Sequence, residues 1–226
     1  MIVELKHAIS EVKENPSDPE RVTAYWRAKL PDLFIPSCDW TAKEISRPMK
    51  DITGEDVPTV MVPATEEITL SALGRIFPDL MSQTVRGGIT VIDTYQANYW
   101  VKLYASLKSP NYQVPRDLAE EFADDQGYFG TRERTYILAS LATEDLNDYF
   151  LNQDGTWAWL LGSRIKGDIV IAGFLPEGNI VVTSTILDTP LRGGWCFEEF
   201  REDQRPHLLT LVELHAQNGL GEHRIS

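Results

Sequence analysis

Cys196 is the residue of this 226-residue chain whose neighbours best suit covalent chemistry. It lies in the string Arg-Gly-Gly-Trp-Cys-Phe-Glu at 192–198, where two glycines allow a tight backbone turn beside the thiol. We expect Cys196 to lie at the start of a helix and near an arginine. The helix dipole and the positive charge would then stabilise its thiolate. Such a nucleophile also needs a histidine as base and a carboxylate to orient it. The candidates are His207 as base and Glu213, or a residue from earlier in the chain, as the carboxylate.

The same string resembles the nucleophile motif of the arylamine N-acetyltransferases, in which R-G-G-x-C-[FW]-E surrounds the acetyl-accepting cysteine. Residues 205–212, Arg-Pro-His-Leu-Leu-Thr-Leu-Val, are loosely similar to the histidine strand of that family. The resemblance implies a cysteine-dependent acyltransferase or hydrolase that uses Cys196 as nucleophile and His207 as base. The alternative interpretation is a buried structural cysteine that follows a glycine turn, which is the commoner fate of this residue type.

The charge of the chain is acidic and unevenly distributed. The net charge is −13, and residues 117–154 hold 10 acidic residues against 2 basic ones. A field of this sign attracts basic partners and repels nucleic acids and anionic membranes. The sequence therefore predicts an acidic surface that binds a basic protein, although a helical surface that only aids solubility is the alternative. The candidate binding residues are Asp117, Glu120, Glu121, Asp124, Asp125, Asp145 and Asp148.

No sequence motif indicates a bound cofactor or metal ion. The chain contains no phosphate-binding loop, no dinucleotide-binding glycine motif and no zinc-protease motif. Its two cysteines, Cys38 and Cys196, do not have the spacing of zinc ligands. We therefore expect no cofactor and no metal, with a divalent cation held by carboxylates of the acidic segment as the alternative.

These residues must be positioned by helices and strands. The order of the predicted helices and strands along the chain indicates an α+β fold with a helix-rich N-terminal half. Apolar residues at helical spacing predict an amphipathic helix over 3–14 and a second helix that begins at Asp93 and continues to Leu107. Prolines and glycines cluster differently on the two sides of 109–115. This segment divides the chain into portions 1–108 and 116–226, unless residues 1–226 form one single domain.

The C-terminal half is predicted to begin with helices and to end in an antiparallel sheet that contains a β-hairpin. Helices are expected over 116–125, 131–142 and 144–151, the last of them capped by Thr143. Alternating apolar residues follow at 157–161. The strands of the hairpin are expected over 169–174 and 180–187, since both stretches are rich in β-branched residues and a Pro-Glu-Gly turn joins them.

Together these features predict an acidic cytoplasmic protein that acts by binding another protein. The first residues lack the pattern of a signal peptide, and the longest apolar stretch is far too short to span a bilayer. Six tryptophans are available for an interface. An immunity-type inhibitor, an adaptor or an assembly factor would fit, with no nucleic-acid or membrane partner. The alternatives are a thiol enzyme that uses Cys196 with His207 or His215, a metal-dependent enzyme and a structural subunit.

Overall fold

A computed structural model of the chain describes residues 2–80, 89–96, 99–153, 156–174, 179–185 and 193–207. The α-helices in these ranges are Ile2–Glu14 (α1), Pro19–Lys29 (α2), Ala42–Ser46 (α3), Leu70–Ile76 (α4), Arg116–Gln126 (α5) and Glu133–Asn147 (α6). The strands are Met49–Lys50 (β1), Asp56–Val57 (β2), Thr59–Ala64 (β3), Ile92–Asp93 (β4), Tyr99–Tyr104 (β5), Tyr128–Gly130 (β6), Trp157–Ile165 (β7), Asp168–Phe174 (β8), Ile180–Thr185 (β9), Gly193–Trp195 (β10) and Phe197–Glu199 (β11). A short 3₁₀ helix follows at Glu202–Gln204.

The strands form three sheets. The pair β1–β2 is antiparallel, and a four-stranded antiparallel sheet has the order β3-β5-β11-β6. The third sheet has the order β10-β7-β8-β9, with β4 also paired to β7. Only the β10–β7 pair is parallel among these described pairings. Helices combined with mainly antiparallel sheets confirm the predicted α+β class.

The predicted C-terminal hairpin is confirmed in its two strands. β8 and β9 pair antiparallel, from Phe174 opposite Ile180 to Ile169 opposite Thr185. Their β-branched residues suit the pleated surface of a sheet. The turn residues 175–178 lie outside the described residues.

The predicted helix from Asp93 to Leu107 is wrong, because this part of the chain contains strands β4 and β5. β5 lies between β3 and β11, and five of its six residues are buried. A strand that is buried on both faces carries apolar residues at almost every position. Its pattern therefore also satisfies a helical spacing, and periodicity alone cannot distinguish the two structures.

The two helices expected over 131–142 and 144–151 are one continuous helix, α6. Thr143 does not cap a new helix, since its hydroxyl donates to the Ala139 carbonyl one turn earlier at 2.7 Å. This bond satisfies the hydroxyl of Thr143, which is fully buried. The helix ends at Asn147, and the next residue, Asp148, has a left-handed φ of 62°.

Both predicted portions of the chain contribute to the same sheet and to the same core. The four-stranded sheet pairs β5 with β11, and the larger apolar cluster contains Trp26 and Val62 as well as Tyr136 and Leu160. The division at 109–115 stays a prediction. No helix in the described part of the chain is long and apolar enough to cross a membrane.

Candidate functional site

Cys196 lies at the point where the chain passes from one sheet to the other, between β10 and β11. Its amide donates to the Trp159 carbonyl at 3.3 Å, and its carbonyl accepts from the Thr131 amide at 3.1 Å. The side chain is only 6% exposed. The expected position at a helix start is therefore wrong, because Cys196 lies between two strands.

Burial raises the pKa of the Cys196 thiol to about 12, and a hydrogen bond with the Ser109 side chain opposes this rise only in part. A thiolate nucleophile requires a pKa shift in the other direction. His207, the predicted base, is exposed, and within the described ranges no hydrogen bond joins it to Cys196. Glu213 lies outside the described residues. The catalytic roles of these three residues stay predictions.

Helix α5 presents most of the predicted acidic surface. It buries one narrow face, since Ala119 and Ala123, one turn apart, are buried and the helix packs against β6. Gly127 ends the helix in the left-handed conformation with φ 68°. The acidic residues of α5 lie outside this buried face. Asp117, Glu121, Asp124 and Asp125 are exposed, and Glu120 is half-buried.

The α5 carboxylates are almost uncompensated by internal ion pairs. Glu120 pairs with Arg116 at 2.7 Å along the helix. Asp117, Glu121, Asp124 and Asp125 form no ion pair in the portion of the chain that the structure describes. Their field is therefore directed into solvent, where a positively charged group could meet it.

The other two predicted binding residues lie at the C-terminal end of α6. Asp145 accepts from the Tyr25 hydroxyl at 2.8 Å and from the Lys29 ammonium at 2.6 Å. Burial, followed by the charge of Asp145, raises the pKa of Tyr25 well above its ordinary value. Asp145 thus links α6 to α2 inside the protein, whereas Asp148 is exposed at the end of α6.

The segment that precedes α5 presents an aromatic side chain on a fixed backbone. Tyr112 is 39% exposed and lies between Asn111 and Gln113, which both have left-handed φ angles of 52° and 57°. The Asn111 amide donates to the Trp195 carbonyl at 3.1 Å, and its side-chain oxygen accepts from the Ile52 amide at 2.7 Å. These bonds hold the segment against the sheets. The sequence analysis interpreted this segment only as a boundary, although Asn111 belongs to a residue type that tolerates the left-handed conformation.

The buried ion pairs of Glu198 and Glu199, close to Cys196, were not predicted. Glu198 pairs with Arg132, and neither side chain is exposed. On the same strand, Glu199 lies 3.3 Å from the fully buried Lys102 ammonium.

Lys102 has a structural role rather than a chemical one. Its ammonium donates to the carbonyls of Glu44 at 2.6 Å and Arg47 at 2.9 Å, which lie at the end of α3. It also lies 5.1 Å from the centre of the Trp40 ring. Burial lowers its pKa, and the nearby Glu199 carboxylate opposes this effect. With all three of its donors occupied, Lys102 fastens α3 to the four-stranded sheet.

The described residues contain no group of three or more histidine, cysteine or acidic side chains that could hold a metal ion. The chain matches no protein-family model, no curated protein and no solved structure. Interpretation of the acidic helix therefore depends on its own geometry and charge.

Proposed function

We propose that this chain is an acidic cytoplasmic protein that works by binding a partner protein with a basic surface, as an inhibitor, an adaptor or an assembly factor. The observation that carries the proposal is the set of α5 carboxylates that lack ion pairs in the described chain: Asp117, Glu121, Asp124 and Asp125. The partner would supply the missing positive charges.

Apolar side chains next to these carboxylates support the proposal. Leu118 is 47% exposed within the acidic helix, and Tyr112 is 39% exposed just before it. Protein interfaces commonly combine apolar or aromatic anchors with a charged rim, and tyrosine is frequent among residues that dominate binding energy. In this arrangement Tyr112 and Leu118 supply buried area, and the carboxylates accelerate encounter.

A charge-reversal comparison tests the proposal. One variant carries lysine in place of Asp117, Glu121 and Asp124, and the matched control carries lysine in place of three exposed acidic residues elsewhere: Asp32, Glu55 and Asp79. Both variants change the net charge equally. Proteins captured by the wild type and by the control, but not by the α5 variant, are the expected partners.

The association rate of such a partner is then measured as a function of salt. Because steering by exposed charges is screened, we expect the rate to fall at least tenfold between low and high ionic strength. Equal capture by the two lysine variants, or an association rate that does not change with salt, would contradict the proposal.

A further inference from the structure

We propose that a pocket between the α1–α2 hairpin and β3 binds a small, uncharged, mainly apolar molecule. The pocket has a volume of about 250 Å³. Five elements meet around it, and each supplies at least one apolar side chain, for example Val12 of α1, Val22 of α2, Ile45 of α3, Met61 of β3 and Leu146 of α6. None of its lining residues belongs to α5, so this site is independent of the proposed protein-binding surface.

Two aromatic side chains are among the residues that line the pocket. Tyr25 and Trp26 meet edge to face with their ring centres 5.0 Å apart, and both are almost fully buried. Their polar atoms are already used, since the tyrosine hydroxyl donates to Asp145 and the indole N–H donates to the Met61 carbonyl, both at 2.8 Å. The rings therefore offer only apolar and π surface to an occupant.

Three prolines restrict the backbone around the pocket. Pro16, Pro48 and Pro58 line it, and each proline ring fixes its own φ angle. A pocket whose walls are already fixed loses little conformational entropy when a ligand enters. Small-molecule sites are commonly preformed concave spaces lined mainly by apolar side chains, and this pocket has that kind of lining.

The polarity of the lining defines the class of ligand. No charged side chain lines the pocket, so a charged ligand would lose its hydration without compensation. The hydroxyls of Ser17 and Thr59 line it and have no hydrogen-bond partner among the residues that the structure describes. An occupant of about ten non-hydrogen atoms would fill the space, by comparison with a 150 Å³ cavity that holds benzene. Such a molecule would be aromatic or aliphatic, with one hydroxyl or carbonyl group.

Binding of p-cresol to the full chain tests this inference, with benzoate as a charged probe of similar size. We expect saturable one-site binding of p-cresol in calorimetry with a dissociation constant on the order of 0.1 mM. The indole N–H resonance of Trp26 should shift on titration. Benzoate should bind at least tenfold more weakly. Absence of saturable p-cresol binding to the folded protein, or equal binding of benzoate, would overturn the inference.

Filling variants locate the binding site. Val60→Phe and Ser17→Phe each add an aromatic ring from a different wall of the pocket, and Val3→Phe adds the same ring at a position that is 80% exposed on α1. Both filling variants should weaken p-cresol binding at least tenfold, and Val3→Phe should leave it unchanged. If Val60→Phe does not fold, Ser17→Phe decides the outcome. Binding of p-cresol by folded Ser17→Phe with wild-type affinity would overturn the inference.

Discussion

Arg132 and Glu198 form an ion pair with an Nη2–Oε2 distance of 3.0 Å, and neither side chain is exposed to solvent. The same carboxylate accepts from the Arg132 amide at 2.6 Å and from the Thr135 hydroxyl. The N-cap residue Arg132 makes no side-chain cap of its own. Glu198 of β11 therefore satisfies the Arg132 amide, and Ser163 of β7 accepts from the Glu133 amide at 2.9 Å. A negative charge is favourable at this end of a helix because the unpaired amides carry partial positive charge.

Glu198→Gln should destabilise the fold by roughly 3–5 kcal/mol, the usual cost of leaving one member of a buried pair without its partner. The substituted amide would keep the shape of the side chain, but the Arg132 guanidinium would remain charged beside the Tyr95 ring, 4.8 Å from its centre. Urea unfolding measures the loss. Glu202→Gln, at an exposed position of the 3₁₀ helix, should change the free energy of unfolding by less than about 0.5 kcal/mol. Equal effects of the two substitutions would contradict the role of Glu198.

Elements with a strong local signature could be predicted from the sequence, whereas long-range pairs could not. β8 belongs to the first group although six of its seven residues are buried, because it is rich in β-branched residues and a proline and a glycine typical of a turn follow it in the sequence. α5 and the β8–β9 pair follow patterns that single residues reveal, such as Ala119 and Ala123 one turn apart on the buried face of α5. The partners of Glu198 lie 63 and 66 residues away, and no local pattern connects them. β5 was predicted incorrectly for a related reason, because burial on both faces removes the alternation that identifies a strand.

The candidate site was predictable to the extent that its residues lie on one element. The acidic residues of α5 share a helix, so composition was sufficient to locate the surface. Asp145 belongs to the same charge-rich segment, but its contacts with Tyr25 and Lys29 depend on how α6 packs against α2. The burial of Cys196 depends likewise on the junction of the two sheets.

The two cysteines should differ from an ordinary exposed thiol in their reactivity toward iodoacetamide. At pH 8.5 a thiol with a pKa near 12 has a thiolate fraction about 10³-fold below that of a free cysteine. Cys196 should therefore stay unmodified until the protein unfolds, and Cys38, with its pKa raised by burial to about 11, should react slowly. Mass spectrometry of each peptide gives the two rates. Rapid native alkylation of Cys196 would instead favour a thiol enzyme.

The same raised pKa makes folding stability depend on alkaline pH. The unfolded thiol loses its proton near pH 9, whereas folded Cys196 keeps it up to about pH 12. The folded state therefore binds more protons in this window, and the free energy of unfolding falls as the pH rises through it. One such group contributes a slope of up to about 1.4 kcal/mol per pH unit. Between pH 9 and 12, the free energy of unfolding of Cys196→Ala should fall less steeply with pH than that of the wild type. Identical slopes would contradict this assignment.

Asp145→Asn should destabilise the protein more than the corresponding change on α5. The substitution removes the charge of the carboxylate that accepts hydrogen bonds from Tyr25 and Lys29. This pair is largely buried, since the Lys29 and Asp145 side chains are only 9% and 12% exposed. We expect a loss of about 1–3 kcal/mol, the cost of leaving a buried polar partner unsatisfied. Asp124→Asn is the control because that residue is exposed and has no ion pair in the described chain. Its effect on unfolding should stay within about 0.5 kcal/mol.

Gly162→Ala should be severely destabilising because β7 crosses the start of α6 too closely for a side chain at this position. The Gly162 amide donates to the Thr131 carbonyl at 3.0 Å. A methyl group on Gly162 would lie 2.8 Å from the Thr131 carbonyl carbon and 2.9 Å from Cγ of Arg132. The backbone would have to move, and that movement would also disturb the buried pair of Arg132 with Glu198. We expect a cost of about 3 kcal/mol or more, at the upper end of the range for overpacking.

Gly173→Ala provides the matched comparison for this crossing. Gly173 lies in β8, and the atom nearest to an added methyl group there is the Thr156 carbonyl oxygen at 3.2 Å. A small adjustment accommodates that contact, and alanine restricts the unfolded chain more than glycine does, so the free energy of unfolding should change by less than about 1 kcal/mol. Thermal and urea unfolding of both variants measure the difference. If Gly162→Ala were as stable as Gly173→Ala, β7 and the start of α6 could not lie as close together as the Gly162–Thr131 hydrogen bond requires.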